Sequence, residues 1–376
     1  MRVINMTDQF SVKKILKGLG NNLGEDDYIE PLNILVNSLN KNKLNFFGEL
    51  AFKHQLKRRL KTRKLIFEEY KNNSYQDPAD PVFVIGLPRS GTTFLFNLLY
   101  QDKIFRSPLY WEIMKPLPIA DNKREINKRI RKVNGELFLG KTVIPKLKAM
   151  HTIKAEMPEE CEQIATMHAK SFVYICMADV PEYAEYLKTC DFDSVFMWHK
   201  RFFQILERDN KPDKWLLKDP SHIGHIPSIL KTYPNAKFIY IHRDPTDAIG
   251  SFCSLTKNIR SSFASKVNPI EIGETVIDFW SHNVHQGLQD RSLIAENNIV
   301  DVIYDDFIKN PMQEIKNIYT HLNFDMSVTT ENNMQNYLFA NKGKSKSKHL
   351  YNIAEFNIDK EKIEFHFRDY MLKYDF

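Results

Sequence analysis

An α/β fold with a central parallel sheet flanked by helices is what this 376-residue sequence predicts, on three observations. A short, continuously apolar, β-branched run occurs at PVFVIG (81–86), and further short strands are expected at WLLKDP (215–220) and FIYIH (238–242). Runs of that kind fit strands buried on both faces of a parallel sheet. Segments with helical spacing separate them, as the crossovers between parallel strands require. A glycine-containing turn links the first run to a helical stretch, FLFNLLYQD.

Residues 27–72 read as helical. Pro31, Leu32, Ile34, Leu35 and Leu39 space one apolar face, and Phe46, Phe47, Leu50, Phe52, Leu56 and Leu60 continue it. The basic run KHQLKRRLKTRK (53–64) reads as the solvated side of an amphipathic helix, with a membrane-surface or polyanion contact as the alternative. NNSYQDPADP is a loop by its Asn, Asp, Ser and Pro content. From about 120 to 212 the pattern is mostly helical. HIPSILKTY is helix-like, FIYIH (238–242) is the third strand, and VIYDDF (302–307) is a candidate fourth. The chain divides on this reading into an N-terminal helical extension (1–80), an α/β domain (81–340) with a helical insertion about 120–212, and a basic loop with a C-terminal helix (341–376).

Composition narrows the function classes. Apolar residues at 43% and charged residues at 27% allow a sizeable core. The net charge of +6 suits an anionic ligand, but Lys and Glu are mixed along the chain rather than gathered as in nucleic-acid binders. Cys161, Cys176, Cys190 and Cys253 form no C-x-x-C pair and no zinc-like spacing, so a reducing compartment is expected rather than a disulfide scaffold. The N-terminus lacks a signal-peptide pattern, and no apolar run approaches the roughly 18 residues of a membrane span. The expectation is a soluble cytoplasmic protein of enzyme size with no nucleic-acid partner; a homo-oligomer is left open.

The sharpest motif is Gly86-Leu87-Pro88-Arg89-Ser90-Gly91-Thr92-Thr93, set between a buried strand and a helix. Backbone N–H groups in such a turn converge on an anion, and the helix dipole favours negative charge there. The alternative is a turn whose glycines serve packing alone. Nucleoside-triphosphate loops carry a Lys followed by Ser or Thr after the last glycine. Here Thr92 stands in the Lys position and the basic residue has moved to Arg89. The third strand ends in His242-Arg243-Asp244-Pro245, with no clear metal-holding acid before the turn. Both departures point away from phosphoryl transfer. A P-loop kinase or NTPase, or a non-catalytic polyanion binder, remain the rival readings.

PVFVIGLPRSGTTFLFNLLYQD resembles the 5′-phosphosulfate loop of sulfotransferases that use 3′-phosphoadenosine 5′-phosphosulfate (PAPS), and KFIYIHRDPTDAIGSFCSL is similar to their 3′-phosphate segment. That family grips the 3′-phosphate with an Arg at the strand end and a Ser eight positions later, matched here by Arg243 and Ser251. Asp244 as N-cap with Pro245 at the first helical position supports the helix start independently. WLLKDPSHIGHIP, MPEEC (157–161), VIYDDFIKNPMQEIKNIYTHLNF and KGKSKSKHLYNIAEFNI resemble the bacterial-type branch, so the likeness covers roughly 27–376.

The resemblance implies a P-loop-like sulfotransferase fold with N-terminal and inserted helices. It implies PAPS as donor, 3′-phosphoadenosine 5′-phosphate (PAP) as product, and no metal. It places Arg89, Ser90, Gly91, Thr92 and Thr93 on the 5′-phosphosulfate, with Arg89 stabilising the leaving phosphate. Phe94 either stacks on adenine or packs in the core, and Tyr304 is the adenine-contacting tyrosine. Lys342, Gly343, Lys344, Lys346 and Lys348 form a basic loop suited to the 3′-phosphate or to solvent, closing the nucleotide site. Lys218 lies near the sulfuryl group or forms a structural ion pair with Asp219 or another acid. The animal enzymes' catalytic His corresponds to Pro220, so the base comes from elsewhere: His151, Glu112 or His222. Glu159 and Glu160 either tie helices together or line the acceptor site. The acceptor is expected to be a small molecule, such as a secondary metabolite, with a hydroxyl or amino group.

Overall fold

The computed structural model describes residues 10–20, 22–42, 44–120, 122–143, 153–208, 210–342 and 352–376, the side chains of 141–143 excepted. Its centre is one parallel sheet of five strands: β1 (Pro81–Ile85), β2 (Phe105–Arg106), β3 (Lys214–Lys218), β4 (Lys237–His242) and β5 (Ile299–Ile303), in the order β2-β3-β1-β4-β5. Both neighbours of β1 run parallel to it, with Val84 opposite Lys218 of β3 and Ile239 of β4. β1 is buried throughout, as its unbroken apolar run requires. Alternate side chains go to opposite faces of the sheet. Phe83 and Ile85 join one core cluster with Leu217, Phe238 and Tyr240, whereas Val82 and Val84 join the other with Leu216, Ile239 and Ile241.

Around the sheet lie α1 (Ile29–Asn40), α2 (Phe46–Asn72), α3 (Thr92–Leu99), α4 (Tyr110–Met114), α5 (Lys123–Val143), α6 (Pro245–Phe263), α7 (Pro269–Asp290), α8 (Tyr304–Lys309) and α9 (Lys360–Tyr374), among other helices. Leu32 and Leu35 of α1 and Phe52 and Leu60 of α2 are buried in the same cluster as Phe83. The fourth strand foreseen in the sequence is Ile299–Ile303, and its expected continuation, 304–307, turns into α8 instead. Asp305 and Asp306 occupy the first turn of α8, where the helix dipole favours carboxylates. The two-residue β2 has no sequence counterpart, being too short to show a period.

Helix α2 departs from its expected pattern in two ways. Asn45 caps it, accepting from the Gly48 N–H at 2.8 Å, and Phe52, Leu56 and Leu60 turn inward as expected. Phe46, Phe47 and Leu50 instead stand in solvent. Within the basic run, Arg59 and Arg63 are buried. Arg63 lies 3.9 Å from the Trp198 ring and donates to the Leu23 carbonyl at 2.9 Å. Arg59 donates to the Ile113 carbonyl and to the side chain of Gln163. Guanidinium groups enter a core on such terms, with acceptors waiting inside.

Candidate active site

The site forms where β1 ends. Ligands in open parallel sheets bind beyond the carboxyl ends of the strands, and here the chain leaves β1 into the glycine turn. Gly86 has φ +152, and a Cβ there would sit 2.4 Å from the Ile241 carbonyl oxygen. Gly91 has φ +93, and its Cβ would strike the Tyr304 ring at 2.6 Å. Both close approaches require glycine. Arg89, between them, also holds a left-handed φ of +69, a conformation that residues with a Cβ rarely adopt and that clusters at functional sites.

Arg89 is tied down by the fourth strand and its following helix. The Arg89 Nε donates to Ser251 Oγ at 3.2 Å. The Arg243 Nη1 donates to the Arg89 carbonyl at 2.8 Å, and its Nη2 to Asp247 at 2.9 Å. The guanidinium of Arg243 also lies 4.4 Å from the Tyr304 ring centroid. The expected helix start is present: Asp244 accepts from the Thr246 N–H at 2.7 Å, and Pro245 opens α6. Sequence positions 89, 243, 251 and 304 therefore meet at one corner. Ser90 is fully buried with no hydrogen-bond partner for its Oγ among the described residues. Thr92 begins α3, so the first N–H groups of that helix open toward the same corner. Tyr370 of α9 reaches it from behind, accepting from the Arg243 N–H at 3.3 Å.

A cavity of about 420 Å³ opens from the turn. Arg89, Thr93, Phe94, Glu159, Glu160, Gln163 and Arg243 supply its rim and edge, while Phe172, Val173, Phe252, Leu255 and Ile259 supply an apolar floor. Phe94 also meets Phe307 at 5.2 Å between ring centroids, so one ring serves both core and cavity. Lys218, at the buried end of β3, donates to Thr93 Oγ1 at 3.0 Å and pairs with Glu160. The acid that pairs with Lys218 is therefore Glu160 and not Asp219, whose Oδ1 accepts from the backbone N–H and the hydroxyl of Ser221, both at 2.8 Å.

The carboxylates of the 157–162 segment have shifted proton affinities. Glu159 keeps part of its surface open to the cavity, yet protein surrounds the carboxyl closely. Burial, reinforced by the charge of Glu160, pushes its pKa up to about 7. Lys218 and Arg59 oppose that shift without cancelling it. Glu162, deeper still, is held well above the usual carboxylate range by burial and by Asp219. It accepts from the Val173 N–H at 3.1 Å and from the Ser171 hydroxyl.

The three candidate bases separate on geometry. Glu112 does not line the cavity: its Oε1 accepts from Arg106 at 2.9 Å, and its Oε2 from the Leu109 N–H at 2.8 Å, closing the first turn of α4. This corrects its placement, because both oxygens are committed to structure. His222 is also corrected, since its ring is buried 5.1 Å from Phe83 and 5.4 Å from Phe196. Burial holds His222 well below the ordinary imidazole value. Cys161, His199 and His222 do bring ligand-type atoms within 4.8 Å of one another in the core, but none of the three lines the cavity. His151 lies outside the described residues, as do Gly343, Lys344, Lys346 and Lys348. Lys342 follows directly on the helix Val328–Asn341 as its C-cap, with its side chain exposed. Glu159, left open between two roles by the sequence, is the cavity carboxylate with a near-neutral pKa. The contact between Gln163 and Arg59 carried no sequence signal.

Comparison with known proteins agrees with this architecture. Residues 81–327 match the model of the sulfotransferase family. Two curated relatives, the omega-hydroxy-beta-dihydromenaquinone-9 sulfotransferases Stf3 of Mycobacterium bovis and Mycobacterium tuberculosis, are each 24% identical over 257 residues. Those alignments cover 64% of this chain and 62% of the relatives, so the match spans less than two thirds of their length. The crystal structure of sulfotransferase STF1 from Mycobacterium tuberculosis H37Rv superposes with a TM-score of 0.84 at 25% identity, covering 96% of this chain and 99% of that one. STF9 from Mycobacterium avium gives 0.81 at 25% identity, covering 96% and 95%. With the family model spanning well over half the sequence, and the glycine turn and the Arg243 corner both inside it, this chain belongs to the sulfotransferase family.

Proposed function

We propose that the protein moves a sulfuryl group from PAPS to a hydroxyl or amino group of a small acceptor held over the apolar cavity floor. The observation that carries this reading is the meeting of Arg89, Arg243, Ser251 and Tyr304 at a glycine turn that has Thr92 where a nucleotide kinase needs Lys. The residues fit a doubly anionic nucleotide. Ser90 has a buried, unpartnered hydroxyl among the described residues, Gly91 leaves no room for a side chain beside Tyr304, and α3 begins at the turn. Ser90, Gly91, Thr92 and Thr93 would hold the 5′-phosphosulfate. Arg243 and Ser251, with Lys342, Lys344 and Lys348, would hold the 3′-phosphate, and Phe94 and Tyr304 would border the adenine.

Sulfuryl transfer breaks the S–O bond to the phosphate and forms a bond to the acceptor atom, and negative charge builds on the bridging oxygen. A fixed cation at that oxygen stabilises the transition state more than the ground state. Arg89 is the residue for that task, with Lys218 beside Thr93 as a second positive charge. Glu159 takes the acceptor's proton. A carboxylate with a pKa of about 7 is basic enough to help and still ionised enough to act near neutrality. The floor of Phe172, Phe252, Leu255 and Ile259 suits an acceptor with an apolar body and one reactive polar end. The relatives named for a hydroxylated menaquinone are consistent with that class.

The test is transfer of sulfur-labelled PAPS to a panel of hydroxylated isoprenoids, sterols and phenols. Label is expected on apolar alcohols in preference to sugars or polysaccharides. A protein that labels no member of the panel and instead hydrolyses ATP with Mg²⁺ would belong with the kinase reading.

A further inference from the structure

One open groove lies well outside the active site. It runs between α2 and α5, with a volume of about 880 Å³. Its walls carry eight Lys and Arg side chains against three Glu. Glu136 answers Arg58 at 3.1 Å and Lys115 at 2.8 Å, and Glu68 answers Lys64 at 3.6 Å. Beside the third carboxylate, Glu125, stand Lys57, Lys61, Lys128, Lys132 and Arg129, the last donating to the Lys115 and Pro118 carbonyls; the four lysines carry the surplus positive charge. The proposed sulfuryl transfer uses none of them.

Beyond the groove, the same two helices carry exposed apolar side chains. Positions three, four and seven apart share one face of a helix. On α2 that rule aligns Lys57, Lys61 and Lys64 with Leu50 and with Phe46 and Phe47. On α5 it aligns Lys128 and Lys132 with Leu139. Phe46 is 74% exposed, Leu50 57% and Leu139 63%. Large aromatic and aliphatic side chains continuous with a basic stripe are the composition of a surface that lies in a bilayer interface. The rings enter the headgroup boundary while lysines meet anionic lipid. Among the described residues no helix is long and apolar enough to cross a membrane, so the contact is peripheral.

We propose that the α2–α5 face docks on a bilayer containing anionic phospholipid. Charge complementarity selects the anionic headgroup, and the exposed Phe46, Phe47 and Leu50 select a bilayer over a dissolved polyanion. The opposite side of α2 faces the active site: Arg59, buried on that side, donates to Gln163, which lines the cavity. One helix thus separates the docking face from the acceptor cavity. That arrangement sets the cavity one helix diameter, ~10 Å, from the bilayer surface. The proposal gains a purpose from the sulfotransferase reading but does not depend on it.

The experiment is co-sedimentation of the full chain with vesicles of phosphatidylcholine alone and of phosphatidylcholine mixed with phosphatidylglycerol, across a salt series. Binding is expected with phosphatidylglycerol only, weakening as salt rises. Reversing Lys57, Lys61, Lys128 and Lys132 to Glu should reduce it by about a hundredfold or more. Phe46→Ser/Phe47→Ser/Leu50→Ser should leave binding at low salt and abolish what persists at moderate salt. Each variant is checked for an unchanged melting temperature and an unchanged response to PAP, which separates failure of docking from failure of the nucleotide reading. Equal sedimentation with both vesicles, or none, would overturn the proposal. So would binding indifferent to the four reversals, or binding to duplex RNA that outcompetes the vesicles and ignores the apolar variant.

Discussion

Glu159→Gln is expected to slow sulfuryl transfer by about 10²–10³-fold, within the range of a lost general base, while leaving donor binding intact. Gln keeps the size of the side chain and an oxygen to accept the Glu160 N–H, which lies 3.1 Å from Glu159 Oε1. What it removes is the ability to accept a proton. The sign of the pH effect follows from the cause of the shift. Burial and Glu160 raise the pKa to about 7, so below that pH Glu159 is protonated and cannot act as base. The rate should rise through pH 7 and level above it in the native protein. In the Gln variant that limb should vanish. Single-turnover rates at saturating PAPS across pH check both points. A variant that retains the native rate and the same acid limb would transfer the role to another group, and His151→Ala measured alongside identifies whether that group is His151.

The second large effect falls on Arg89. Removing its charge with Arg89→Gln is expected to lower kcat by about 10²–10³-fold, the usual loss when a donor to a developing anion is deleted. The acceptor KM should change little. Arg89→Lys should recover much of the rate because the charge is the main contribution, but not all, because Lys lacks the planar fork that presents Nε to Ser251. A split of this kind, with kcat falling while KM holds, marks an interaction made chiefly in the transition state. Loss confined to KM would make Arg89 a binding residue alone.

The parts of the molecule legible in its sequence are those fixed by local chemistry. β1, β3 and β4 announce themselves because a strand buried on both faces must be apolar throughout. The glycine turn is legible because only glycine tolerates the backbone angles and contacts at Gly86 and Gly91. The Asp244–Pro245 helix start is likewise a local capping problem, solved as expected.

What was not legible depends on what the folded chain brings around each residue. Glu112 looks available until Arg106 folds back onto it. His222 looks reactive until its ring is found among Phe83 and Phe196. The near-neutral carboxyl of Glu159 is created by surroundings from several elements, which no spacing rule reports. Arg59 and Arg63 read as solvated because charge runs usually are, but Gln163 and the carbonyls of Leu23 and Glu25 give them acceptors inside. Phe46, Phe47 and Leu50 continue the helical period of a buried face yet stand exposed. Periodicity identifies a face without saying what covers it.

The central claim is that the glycine turn and the Arg243–Ser251 corner bind the two ends of one doubly phosphorylated adenosine. Thermal melting with PAP, set against ATP with Mg²⁺, tests it most directly. At a hundred times its dissociation constant PAP should stabilise the protein by about 2.7 kcal/mol, with a much smaller gain in Arg243→Ala and little from ATP with Mg²⁺. Stabilisation by ATP with Mg²⁺ but not by PAP, or a PAP effect untouched by Arg243→Ala, would contradict it.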